Sequence, residues 1–223
     1  MYQVVVVMPV YKRREQAVAA MRRLVHLSGN GGDQFYARFV AIGGTDERET
    51  LAEMATIPGV NALMGASERM TYWSALAAAT QAEPVEALLV GVGSDVLPAV
   101  HYLQHVVHEY DRHGGDPIVG FNGDGYSPLP GRTQPHSAHF LISKRRLLQY
   151  GGWPVWYTHN FGDTELIERA TDDRAYVKSP WAILFHDHPH IAGAHYDPTY
   201  DDGAEQFARD RMTYHERKRN LWR

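Results

Sequence analysis

The sequence predicts an α/β protein with a mostly parallel central sheet flanked by helices, in the Rossmann-like manner of nucleotide-binding folds. Three observations point there. Short β-branched runs such as Val4 to Val7 alternate with longer stretches of helical spacing through the first half of the chain. Glycine- and acid-containing turns stand at the ends of those runs, where an open parallel sheet carries its ligands. The composition, 44% hydrophobic and 22% charged, is that of an ordinary globular protein.

The elements follow in order. Val4 to Met8 is a continuous apolar run, the mark of a strand buried on both faces. After "PVYKRR", the spacing of Val18, Met21, Leu24 and Val25 predicts a helix that stops at "SGNGG". "FYARFVAI" (35–42) is a second strand running into Gly43-Gly44-Thr45-Asp46, with a short helix to about Ala55. "VNAL" is a third strand, Met70 to Ala82 a third helix, and "EALLVGV" (86–92) a fourth strand. A long helix is expected from Pro98 to His113, closed by Gly114-Gly115. In the second half, "PIVGF", "AHFLIS", "AYVK" and "WAILF" read as strands, with helices over "KRRLLQY" and Thr164 to Thr171. A Gly/Pro-rich loop spans 122–136, and a charged helix runs from about Ala204. One domain over 1–223 is the economical reading: a first half over 1–115, an elaborated second half over 116–195, and a helical tail over 196–223.

Several classes are excluded or disfavoured. With no cysteine, disulfides and thiolate metal sites are ruled out. No apolar run reaches the roughly 20 residues of a membrane helix. The N-terminus lacks a basic leader and reads as a strand, so a cytoplasmic location is expected. A net charge of −4 argues against wholesale nucleic-acid binding. The turns after the first two strands match neither GxGxxG nor the P-loop, which disfavours a dehydrogenase or P-loop enzyme.

The residues themselves leave choices open. Asp95, at the end of "LLVGVGSD", either points into the crevice where a divalent ion bridges a diphosphate or caps a turn. His186, His188 and His190 in "FHDHPH" alternate, so an extended segment puts them on one side, as ligands or as solvated histidines. His101, His105 and His108 share a helix face, but without the glutamate of HExxH they read as exposed. The basic stretches "SKRRLL" and "HERKRNLWR" either contact a polyanionic acceptor or form solvated helix faces.

The order of motifs resembles the GT-A-fold glycosyltransferases, in particular their inverting family 2-like group. The matching segments are Pro9-Val10-Tyr11, Gly43-Gly44-Thr45-Asp46, Gly93-Ser94-Asp95, Gly151-Gly152-Trp153 and "GDTELIER" (162–169). The resemblance implies a GT-A fold and a sugar transferred from a nucleoside diphosphate donor to an acceptor hydroxyl with inversion. It places Pro9, Tyr11, Arg13, Gly43, Ser94 and Asp95 around the nucleotide sugar. Asp163 becomes the general base, with Glu165 as its understudy. Asp95 with His186 or His188 becomes the ligand set for Mn²⁺, or Mg²⁺, since an Asp/His set suits manganese. Trp153 and Trp156, just before Asp163, are expected to form the acceptor platform. The chain departs from the pattern where Gly93 replaces the first Asp of D-x-D, Gly162 replaces the Glu before the base, and Ile42-Gly43 replace the base-binding acid.

The expected function is metal-dependent glycosyl transfer to a glycan, a small molecule or a hydroxymethylated DNA base. The rivals are a sugar-phosphate nucleotidyltransferase, whose glycine-rich loop is missing after strand one, and a non-catalytic nucleotide-sugar or carbohydrate-binding module.

Overall fold

The computed structural model describes residues 1–29, 31–123, 136–186 and 203–221. The first half runs β1 (Tyr2–Pro9), α1 (Arg14–Leu27), β2 (Phe35–Gly43), a 3₁₀ turn (Thr45–Glu47), α2 (Arg48–Met54), β3 (Val60–Met64), α3 (Tyr72–Thr80) and β4 (Leu88–Gly91). The second half runs β5 (Val96–Pro98), α4 (Tyr102–His113), β6 (Ile118–Asn122), β7 (Phe140–Ser143), α5 (Lys144–Gln149), α6 (Gly162–Asp172), β8 (Tyr176–His186) and α7 (Gly203–Leu221).

The strands form one eight-stranded sheet in the order β3-β2-β1-β4-β7-β6-β8-β5. β3, β2, β1 and β4 are parallel throughout, and β6 pairs parallel with β8. β7 is antiparallel to both β4 and β6, which joins the parallel half to the rest. β1 lies inside the parallel half, and Val4 to Met8 are buried on both faces, as the unbroken apolar run requires. Val4, Val6 and Met8 face a core closed by α1, α2 and α4. Val5 and Val7 face a second core closed by α3 and α6, with Tyr214 of α7 and Trp153 packed into it.

Two expectations are corrected, and both corrections shape the site. The helix expected from Pro98 begins at Tyr102; Val96–Pro98 is instead an edge strand, antiparallel to β8 with Val96 opposite His186. Pro98 has no N–H to give a ladder, so an edge is the place where it costs least. "AYVK" and "WAILF" are one strand, β8, whose register against β6 shifts between Gly120 and Asn122, in the segment holding Pro180. That shift carries the C-terminal end of β8 across to β5. Most of the 122–136 loop, together with His188 and His190, lies outside the described residues. Among the described residues no helix is long and apolar enough to cross a membrane.

Leu89, fully buried in β4, packs in the second core. Leu89→Ala is expected to lower the unfolding free energy by about 3 kcal/mol, read from the midpoint of denaturant unfolding at unchanged m-value.

Candidate functional site

The first wall of the site is the turn after β1. Lys12 and Arg13 both adopt left-handed backbone conformations, φ 54° and 51°, which two consecutive non-glycine residues take only when held there. Glu47 does the holding. Its buried carboxylate accepts the Lys12 N–H and, at 3.0 Å, the Thr50 hydroxyl. The strained turn directs Arg13 inward, where Nη1 lies 3.3 Å from Asp95 Oδ2. Tyr11 lies beneath the Arg69 guanidinium, 4.0 Å from its ring centre, with Lys12 Nζ at 5.0 Å. Pro9 ends β1 opposite Ile42, which leaves Gly43 at the tip of β2. A Cβ on Gly43 would come within 2.9 Å of the Glu47 side chain. The acid expected at the end of strand two is absent there, and the nearby acid serves the backbone of the β1 turn.

The second wall is the turn after β4, which contains Ser94 and Asp95. Asp95 is 8% exposed. Its Oδ2 faces Arg13 and also His186 Nε2, at 3.4 Å. The β5–β8 pairing, with Val96 opposite His186, brings these two side chains together. The His139 ring stands edge-on to His186, with centroids 5.1 Å apart. Gly93 now has a physical reason. A Cβ there would fall inside van der Waals contact of Asp95 Oδ1 and within 3.8 Å of His139. The position that carries the first Asp of D-x-D elsewhere is therefore occupied by the folded-back Asp95 carboxylate.

Asp95 and His186 fit a divalent ion in part. Two donors about 3 Å apart can share one ion with bonds of about 2.1 Å, and the 3.4 Å between them is close to that edge. Arg13 sits on the same carboxylate oxygen, so metal binding requires the guanidinium to yield it. Among the described residues no group of three or more His, Asp or Glu side chains is arranged to hold an ion unaided. His188, the other expected ligand, is not among the described residues.

Asp163 forms the far side, in the first turn of α6. Its Oδ2 lies 2.9 Å from His136 Nε2. Burial pushes the Asp163 carboxyl up, but the hydrogen bond and charge of His136, the Thr164 N–H and the charge of His159 outweigh it, so the group sits below the ordinary carboxylate value. Tyr72 is buried, and burial first, then the charges of Asp163 and Asp95, push its phenol far up. Gly162 packs so closely on the Trp73 indole and Pro154 that a side chain there would collide with both. The missing Glu before Asp163 thus reflects an indole occupying its space.

Two expected site residues are structural. Glu165 is 1% exposed and fully engaged. Arg217 grips both its oxygens at 2.9 Å, Tyr157 donates at 2.8 Å and the Trp156 indole at 3.2 Å. Burial pushes this carboxyl up, yet these donors, Arg217 foremost, bring it below its ordinary value. Four donors hold this buried carboxylate in place, two from Arg217 and one each from Tyr157 and Trp156, so it anchors α7 and is not open to a substrate. Trp153 is buried in the second core and donates its indole N–H to Thr80 at 2.8 Å, so it cannot serve as an acceptor platform. Trp156 is half-buried beneath Arg217, whose guanidinium lies 3.6 Å from its ring centre.

The structure also adds residues that the sequence reading missed. His136, His139 and Glu47 acquire their places through contacts distant in sequence, which no periodicity reveals. The one available signal was "HSAH" (136–139), two histidines at the junction of the long loop with a buried strand. The basic "HERKRNLWR" stretch contributes Arg217 and Lys218 to buried carboxylates of α6: Lys218 Nζ lies 2.7 Å from Glu168, whose other partner is the Tyr214 hydroxyl at 2.8 Å. His101, His105 and His108 are exposed.

No protein-family model matches the sequence, and no curated protein matches it. Solved structures do share the fold. S. aureus TarS superposes with a TM-score of 0.62 at 14% identity over 99% of this chain, which spans only 40% of that one. A TarS 1–349 structure in complex with UDP-GlcNAc gives 0.58 at 13% identity, covering 94% of this chain and 66% of that one. The mannosyltransferase PcManGT from Pyrobaculum calidifontis, in complex with GDP-Man and Mn²⁺, gives 0.58 at 13% identity, covering 85% and 58%. The chain therefore has the GT-A-like glycosyltransferase fold.

Two outcomes are expected. Gly93→Asp, which completes a D-x-D on paper, should displace Asp95 and lower the midpoint of thermal unfolding, measured by scanning calorimetry. Glu165→Gln leaves Arg217 facing an amide and should cost about 3 kcal/mol at neutral pH. Because the folded value of Glu165 is depressed, its stabilisation is complete above the unfolded value and disappears as pH falls through the folded one. Acid unfolding curves of Glu165→Gln should therefore lack part of the wild-type loss of stability at low pH.

Proposed function

We propose that this protein transfers a sugar from a nucleoside diphosphate donor to an acceptor hydroxyl with inversion. The observation that carries the reading is the pair of aspartates in a GT-A-like fold, Asp95 in the turn after β4 facing Arg13 and His186, and Asp163 at the start of α6 facing His136. Solved structures of that fold hold UDP-GlcNAc, or GDP-Man with Mn²⁺.

In this reading Tyr11, Arg13, Gly43 and Ser94 line the donor site, with Arg13 turned toward the diphosphate once it leaves Asp95. Asp95 and His186 would hold Mn²⁺ or Mg²⁺. A bound divalent ion neutralises charge on the departing diphosphate. Asp163 accepts the acceptor's proton as the hydroxyl oxygen bonds to the anomeric carbon and the bond from that carbon to the diphosphate breaks. His136 keeps Asp163 ionised and aimed. A carboxylate held low accepts a proton only as the attacking oxygen gains positive charge, which confines transfer to the transition state.

Incubation with Mn²⁺ and a panel of UDP- and GDP-sugars should release nucleoside diphosphate slowly by donor hydrolysis. Asp163→Asn should lower that rate by about 100-fold or more with donor binding retained, while Asp95→Ala should weaken donor binding. Tight donor binding without any turnover would instead indicate a binding module. Pyrophosphate release from a nucleoside triphosphate would indicate a nucleotidyltransferase.

A further inference from the structure

The segment that leads into Asp163 is held from three sides, and one of its anchors comes from a part of the chain remote from the site. Asp210, in α7, is 2% exposed. Its Oδ1 accepts the Thr158 N–H at 2.9 Å, and its Oδ2 accepts the His159 and Asn160 N–H groups at 2.9 and 2.8 Å. One buried carboxylate thus takes three successive backbone donors in a stretch without regular structure. From the opposite side, the Trp73 indole donates to the His159 carbonyl at 2.9 Å. Phe161 follows in a left-handed conformation, φ 66°, with its ring stacked on Tyr214 of α7 at 5.2 Å. Gly162 then fits against Trp73, and Asp163 emerges toward His136.

An α6 N-terminus preceded by a left-handed phenylalanine has no side-chain cap of its own. The entry angle of the helix, and with it the direction of the Asp163 side chain, is set by whatever fixes residues 158–161. We infer that Asp210 is a positioning residue for Asp163, which makes the C-terminal helix a working part of the active site. The arrangement has a division of labour. Arg217 and Lys218 dock α7 on Glu165 and Glu168, while Asp210 uses that docking to fix the turn that aims the base. Asparagine at 210 offers one acceptor oxygen and no charge for three donors, and glutamate keeps the charge but overshoots by one methylene.

The role of Asp163 as base rests on the proposed transferase activity, whereas the hold of Asp210 on the turn does not. The test therefore reads both, in Asp210→Asn, Asp210→Glu and the control Arg38→Met, which breaks an ion pair with buried Glu83 that involves neither α6, α7 nor the turn. Amide hydrogen exchange at 158–160 should accelerate about tenfold or more in both Asp210 variants, and donor hydrolysis should lose about tenfold or more in kcat with donor KM within about twofold. Arg38→Met should lower Tm while leaving exchange at 158–160 and kcat as in the wild type. Unchanged protection at 158–160 in both Asp210 variants overturns the inference. So does a loosened turn with unchanged kcat, or the same pattern in Arg38→Met. Accelerated exchange in a protein whose wild type hydrolyses no nucleotide sugar counts against the transferase reading and leaves the anchoring of the turn in place.

Discussion

Two buried carboxylates on one helix set the terms for the second half of this molecule. Glu165 and Glu168 are almost completely removed from solvent on α6, and a buried charge without partners is among the costliest features a fold can contain. Arg169, within α6, reaches Glu165 only at 3.5 Å. The close cations, Arg217 and Lys218, both come from α7. The helix that carries Asp163 therefore depends on the helix at the other end of the chain, and the 158–161 turn is trapped between them. What composition presents as a solvated basic face is the counter-charge of two buried carboxylates on α6.

Three glycines obey a different constraint, that of space. Gly43, Gly93 and Gly162 stand where the family pattern the sequence resembles has acids, and each lies against a group that fills that volume: the Glu47 side chain, the Asp95 carboxylate and the Trp73 indole. In the turn after β4 the result is one carboxylate shared between Arg13 and His186. The cation that sits on Asp95 is thus part of the protein itself, brought there by two strained residues that Glu47 holds in place.

Legibility in the sequence followed the range of the interaction. The parallel half was legible because burial on both faces of β1 and amphipathic helices leave periodic traces, and Asp95, Asp163 and His186 were legible because each sits at the end of a recognisable element. Val96–Pro98 was misread, since a short edge strand before a helix has no period of its own and Pro98 resembles a helix start. The motif suggests functional roles for Glu165 and Trp153, whereas burial and their hydrogen bonds to Arg217 and Thr80 tie them to the framework. His136, Glu47 and Asp210 were invisible because their meaning lies wholly in partners 27, 35 and about 50 residues away.

The central claim is that Asp95, His186 and Asp163 surround a single site for a metal-bound nucleoside diphosphate. Paramagnetic line broadening tests it most directly, by titrating Mn²⁺ with UDP or GDP into the protein with ¹⁵N-labelled histidine side chains. His186 and His139 should broaden first and His136 and His159 follow, while the exposed His101, His105 and His108, before and on α4, stay sharp. Broadening of those exposed helix histidines ahead of His186, or none that requires the nucleotide, would contradict it.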